Sequence, residues 1–291
     1  MKITLTGSIG NIGKPLTESL VKAGHQVTVI TSKQAHAAQI KSMGAIPAVG
    51  SIEDVAFLTN AFTGADVVYA MVPPNFGATH WKEYIAGIGH NYAAAIKAAG
   101  VTKVVQLSSI GAHLTEGAGP ITGLHQVEVE LNKLEGVVVK YVRAGFFYTN
   151  FYSNVDMIKH AGLLGSNYGA DTYLPLVHPV DVADAIAEEI QQPFTANSIR
   201  YAISDEHTAG ESAAILGKEI GKPELPWVEF TDADTLGGML QAGLPEEIAK
   251  NYVEMGEVSR NGKMQEDFLT HRSALGKRKL EDFAVEFAKS F

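Results

Sequence analysis

Gly7, Gly10 and Gly13 recur every third residue within Thr6-Gly7-Ser8-Ile9-Gly10-Asn11-Ile12-Gly13. That spacing suits the binding of a diphosphate by main-chain amides. Gly7 permits a tight exit from a strand, Gly10 lets backbone approach a pyrophosphate closely, and Gly13 lets a helix press on a sheet. The helix start adds unpaired N–H groups and a partial positive charge. An ordinary glycine-rich turn would have the same composition, so the flanks decide. Ile3–Thr6 reads as a strand, and Ile12, Leu16, Leu20 and Ala23 recur at helical spacing, with Pro15 in a first turn that tolerates its missing N–H. A triphosphate loop fits poorly, although Gly13-Lys14 resembles its ending. Ser8 takes the place of its first glycine, and Pro15 replaces the hydroxyl that would hold magnesium.

The end of the second strand selects the cofactor. A carboxylate there bonds the adenosine ribose and repels a 2′-phosphate. Here the strand ends Val29-Ile30-Thr31-Ser32-Lys33. Hydroxyls and an ammonium suit a phosphate, so NADP(H) is expected over NAD(H), with Thr31, Ser32 and Lys33 as contacts; alternatively, Lys33 is simply a solvated lysine. Lys14 could assist.

The elements that must position these groups alternate short apolar runs with helical patterns, the rhythm of a buried parallel sheet. Strands are expected at Ile3–Thr6, Gln26–Ile30, Ala45–Val49, Asp66–Met71, Lys103–Leu107 and Val137–Val142. Helices are expected at Trp81–Ala99, closed by Gly100, and from about Leu124 to Leu134. The fold class is α/β: a Rossmann-type, doubly wound parallel sheet with a smaller, mostly helical C-terminal substrate domain. Residues 1–153 form the dinucleotide-binding domain, with 176–204 returning to it; 154–175 and 205–291 form the smaller unit. Asp181 is the expected N-cap of a helix opened by His178-Pro179-Val180.

Apolar residues make up 46% and charged residues 19%, which supports a well-buried core. The net charge is −9, from 23 Lys+Arg against 32 Asp+Glu, which argues against a nucleic-acid-tracking surface. The one basic cluster, Lys277-Arg278-Lys279, lies beside Glu281 and Asp282 and reads as a solvated helix end. With no cysteine, disulfides, thiolate catalysis and zinc–thiolate sites are excluded. The ten histidines show no paired metal spacing, so no metal is expected. No G-x-S-x-G elbow occurs. The N-terminus enters a strand directly and no membrane-length apolar run appears, so a cytoplasmic location is expected.

Taken together, the Thr6–Gly13 fingerprint, Met71-Val72-Pro73-Pro74, Leu107-Ser108-Ser109, Arg143-Ala144-Gly145-Phe146-Phe147, Asn150 and His178–Ala183 resemble the NmrA-like group of atypical short-chain dehydrogenase/reductases. That group contains NAD(P)H-dependent quinone reductases and also regulators that bind the dinucleotide without known turnover. The resemblance implies that Met71, Val72 and Pro73 lie along the cofactor. It implies that Gly145, Phe146 and Phe147 border the nicotinamide pocket, or that the Phe pair is core. Ser108 is implied at the cofactor and Ser109 at the substrate pocket, both at the carboxyl end of the central strands; a polar strand end is the alternative. Tyr148 and Tyr152 could wall the substrate pocket or pack.

Most short-chain dehydrogenases relay a proton through Tyr-x-x-x-Lys, the Lys lowering the Tyr pKa. No Tyr here has Lys four residues on; Thr122 and Gln126 fall about where the pair would be. A quinone needs less, because hydride addition leaves a stabilised hydroquinone anion. His125 could supply a proton and Gln126 a hydrogen bond, or both could be structural; His113 is a weaker third candidate. The expectation is an NADPH-dependent reductase of a quinone or similarly activated carbonyl acting on a small molecule. The alternative is a non-catalytic dinucleotide sensor that binds a protein partner. A sugar-nucleotide epimerase ranks lower, since it also leans on the Tyr/Lys pair.

Overall fold

A computed structural model describes residues 1–291. In the first half, strands β1 (Lys2–Leu5), β2 (Gln26–Thr31), β3 (Ile46–Val49), β4 (Val67–Ala70), β5 (Lys103–Ser109) and β6 (Val138–Ala144) alternate with helices. These are α1 (Gly13–Lys22), α2 (His36–Ser42), α3 (Val55–Phe62), α4 (Trp81–Ala99) and α5 (Pro120–Asn132). The second half adds β7 (Phe146–Phe147), β8 (Leu164–Ser166), β9 (Tyr173–Val177), β10 (Ser198–Ala202), β11 (Asp205–Thr208) and β12 (Trp227–Glu229). Its helices are α6 (Val155–Ala161), α7 (Pro179–Gln191), α8 (Ala209–Glu219), α9 (Asp232–Gln241), α10 (Glu246–Arg260), α11 (Glu266–Thr270) and α12 (Leu280–Phe287).

The main sheet has seven strands in the order β10-β6-β5-β4-β1-β2-β3, all parallel. The order in which strands are added reverses between β1 and β4, so this is a Rossmann sheet with its switch point at the glycine turn. Side chains alternate across it. On β4, Val67 and Tyr69 join Leu16, Leu20 and Ile186 on one face, while Val68 and Ala70 join Ile85, Ile88 and Tyr92 on the other. β7, β9 and β11 form a second small sheet, and β8 pairs with β12. Between these, α8 and α12 enclose an aromatic core that includes Tyr148, Phe151, Phe283 and Phe287. No helix is long and apolar enough to cross a membrane.

Two expectations change. The N-cap of α7 is His178, whose Nδ1 accepts from the Val180 amide at 3.1 Å, and not Asp181. Asp181 is buried and accepts from Ser204 Oγ (2.6 Å), the Arg278 amide (3.0 Å) and the Arg278 guanidinium. The basic cluster is correspondingly not a free solvated end: Arg278 also reaches Asp184 at 3.1 Å, and Lys279 reaches Asp205 at 3.2 Å. Burial alone would raise the Asp181 carboxyl, but the Ser204 hydroxyl and the Arg278 amide and guanidinium hold it below the usual carboxylate range.

Candidate dinucleotide site

The glycine turn joins β1 to α1 at the carboxyl edge of the sheet. Gly7 has φ +87°, and a Cβ there would stand 2.5 Å from Met71 Sδ, so turn geometry and close packing both require glycine. A Cβ on buried Gly13 would overlap the Ser8 carbonyl oxygen, which is how the helix start stays tight against the turn. Gly10 differs: nothing lies within 4 Å of its absent Cβ, and its backbone faces open space. The amides of Ile9, Gly10, Asn11 and Ile12 have no acceptor within the protein. Ile9 and Ile12 lay their side chains against the sheet core, which anchors the turn while its amides stay outward.

Thr6 fixes the neighbouring strand exit. Its hydroxyl donates to the Met71 carbonyl (3.1 Å) and accepts from the Met71 amide (2.8 Å), and Tyr92 donates to the same carbonyl at 2.6 Å. Met71, Val72 and Pro73 are therefore half-buried on a pinned segment beside the turn. Met71 packs on one core face and Val72 on the other.

From the turn a groove of about 340 Å³ runs to the end of β2, lined by Gly7, Ser8, Ile9 and Gly10, then Thr31, Ser32, Lys33, His36 and Gln39. Ser32 and Lys33 are exposed, and Thr31 is buried with its hydroxyl on Ser8 Oγ at 3.0 Å. The lining holds no carboxylate. Outward amides, open space at Gly10 and a cationic far end fit a dinucleotide carrying phosphate on its adenosine ribose. His36 escaped the sequence reading, because it follows the strand by five residues and carries no periodicity signal.

On α5, His125 Nδ1 lies 2.9 Å from the Ala112 carbonyl. A carbonyl only accepts, so Nδ1 carries the hydrogen and Nε2 is left free, reaching solvent. Gln126 is half-buried without a side-chain partner. Thr122 accepts from the Ala118 amide at 3.2 Å and so shapes the helix entry. His113 has both ring nitrogens enclosed, and burial holds its imidazole below the usual range, with Asp267 countering and Arg143 adding to the effect.

A family model for the NmrA-like family matches residues 1–284. The chain belongs to the NmrA-like family. Among solved structures, it is similar to an NADPH-dependent quinone oxidoreductase of Escherichia coli in complex with NADPH. The identity is 22%, with 98% of this chain and 99% of that chain covered and a TM-score of 0.83. It is similar to Citrobacter sp. triphenylmethane reductase complexed with NADP(H), at 20% identity over 98% of this chain and 99% of that one, TM-score 0.81. It is also similar to NmrA, a negative transcriptional regulator, in complex with NADP, at 16% identity over 99% and 95%, TM-score 0.77.

For this NmrA-like chain, several residues implied at the site lie elsewhere. Ser108 is buried and donates to Glu128 Oε1 at 2.5 Å, so its hydroxyl is used inside the protein and not on a cofactor. Gly145 is buried, and a Cβ there would overlap the Pro175 carbonyl; it serves the packing of β6 on β9. Phe146 and Phe147 point to opposite sides of a short strand. Phe147, as Met71 and Ile9 do, packs against the sheet core, and Phe146 packs on Phe151 in the C-terminal core. Tyr148 is fully buried, its hydroxyl on the Arg278 carbonyl at 3.0 Å and its ring against Phe283. Tyr152 packs on Phe283 and Phe287. Tyr148 belongs to this core, and Tyr152 is half-buried against it. Ser109, half-buried at the end of β5, donates to the Ile110 carbonyl at 2.9 Å.

Sequence reasoning also passed over a buried polar network below this edge. Arg143 on β6 holds Glu128 on α5, Tyr201 on β10 (3.0 Å) and Asp267 on α11 (2.9 Å). These partners are 15, 58 and 124 residues from Arg143 in the chain, so no local pattern announces them.

Proposed function

We propose that this protein is an NADPH-dependent reductase that delivers hydride to a quinone or another activated carbonyl of a small molecule, without a Tyr/Lys proton relay. The observation that carries the reading is the groove from the outward amides of Ile9–Ile12 to the carboxylate-free end of β2. The quinone oxidoreductase and the triphenylmethane reductase of similar fold support it. The dinucleotide, when bound, supplies the hydride. The glycine turn binds its diphosphate, and the pinned Met71–Pro73 segment orients its reactive end. His125, whose ring is set by Ala112, takes a proton from solvent at Nε2 and passes it to the reduced substrate oxygen, and Gln126 is the hydrogen-bond donor beside it. Residues 154–175 and 205–291 select the substrate. The test is consumption of NADPH across a panel of quinones and activated aldehydes; no turnover with any acceptor, despite NADPH binding, would refute it.

One observation favours a second reading, a dinucleotide sensor that acts on a protein partner. Thr122, at the place of the relay tyrosine, spends its hydroxyl on the Ala118 amide, and the similar fold of NmrA, a negative transcriptional regulator in complex with NADP, supports this reading. Pull-downs with and without NADPH separate the two.

A further inference from the structure

The groove carries one ionisable side chain to which the reading above gives no task. His36 opens α2, half-buried, with Nδ1 2.9 Å from Ser8 Oγ and 3.3 Å from Thr31 Oγ1. Ser8 is the one non-glycine residue with positive φ, at 59°, a conformation that side chains adopt at a cost. The strained turn thus places the Ser8 hydroxyl where it meets both Thr31 and His36. Nε2 has no protein partner and is open to solvent on the lining of the groove.

The surroundings of the imidazole favour an anion. The glycine turn offers it no ionisable side chain, the end of β2 offers Thr31 and Ser32, and Lys33 is the only other charged group on the lining. Hydroxyls can either donate to a bare ring nitrogen or accept from a protonated one, so Ser8 and Thr31 hold the ring in both states. A histidine serving only to tie α2 to the turn would need the Nδ1 contact alone. It would not need an open Nε2 facing the far end of a cationic groove.

We propose that His36 is a specificity-determining ligand for the phosphate on the adenosine ribose, and that its protonation makes the preference for the phosphorylated dinucleotide depend on pH. The inference rests on the groove being the dinucleotide site. Protonated, the ring donates Nε2–H to a phosphate oxygen while Nδ1–H donates to Ser8 Oγ. Histidine is the side chain whose charge changes across the neutral range. NADPH binding therefore takes up a proton as pH rises through that range, and NADH binding does not.

The experiment is calorimetric titration of the full chain with NADPH and with NADH, for the native protein and for His36→Ala. It runs from about pH 6.5 to 8, where a phosphate monoester stays mostly dianionic. His36→Ala should lose about ten- to a hundredfold in NADPH affinity, the range for a hydrogen bond to a charged group. Its NADH affinity should stay within about twofold of native, which also shows that the variant is folded. Native NADPH affinity should fall with rising pH, and that slope should flatten in the variant. Equal loss for both dinucleotides, no loss for NADPH, or an unchanged slope would overturn the proposal and leave the dinucleotide site standing. Binding of neither by the native protein would overturn both.

Discussion

Arg143 clasps Glu128 with two guanidinium nitrogens, Nε to Oε1 at 3.0 Å and Nη2 to Oε2 at 2.7 Å, with both side chains buried. The pair welds α5, which carries His125 and Gln126, to β6, next to the edge strand β10 of the main sheet. A two-point bond of this kind fixes position as well as charge.

Removing one member strands the other in the interior. Arg143→Met should lower unfolding free energy by about 3–5 kcal/mol, the cost of leaving a buried charge unpaired. Urea denaturation reads this directly; a loss below about 1 kcal/mol would mean that the pair is solvated and not welding α5.

The two inner glycines of the turn should separate stability from binding. Gly13→Ala meets the Ser8 carbonyl and should destabilise the chain. Gly10→Ala meets nothing, so stability should change by no more than about 0.5 kcal/mol. Its methyl enters the space kept for the diphosphate, however, and dinucleotide affinity should fall about tenfold or more, by 1.4 kcal/mol or more. Thermal melts and titrations on both variants check the contrast.

Acid should release the C-terminal segment. Asp181, Asp205 and Asp267 each sit where burial would raise the carboxyl, yet hydrogen bonds and cations hold it below its ordinary value. The unfolded chain therefore takes up protons first as pH falls. The stability these groups contribute is complete above about pH 4 and is lost below it as pH passes through their folded values. Asp181→Asn should cost about 1–3 kcal/mol at neutral pH and flatten the acid limb; an unchanged limb would show that Asp181 does not anchor Arg278.

How much of this could be read from the chain depends on range. Strands β1 to β6 lie within about two residues of their expected places, because parallel strands buried on both faces leave continuous apolar runs. Helix Trp81–Ala99 ends as expected, on Gly100. The turn at Gly7–Gly13 and the Thr31–Lys33 segment were legible because strand, loop and helix are consecutive there. Ser108, Tyr148, Asp181 and Arg278 were not, since their partners Glu128, Phe283, Ser204 and Asp184 come from distant elements. The type of such a residue is visible in sequence, but its partner is not.

Proton supply offers a kinetic test. His125→Ala should lower kcat with a quinone by about a hundredfold, the low end for a positioned general acid, and leave NADPH affinity unchanged. Gln126→Ala should act mainly on the quinone KM. Full kcat in His125→Ala would remove it from the reaction.

The central claim is that main-chain amides at Ile9–Ile12 receive a dinucleotide diphosphate, and calorimetric titration of the native chain with NADPH tests it most directly. A saturable isotherm below about 1 mM, within the ordinary range for such sites, and weakened about tenfold or more in Gly10→Ala, is the predicted result. No heat of binding from NADPH or NADH at that concentration would contradict the account.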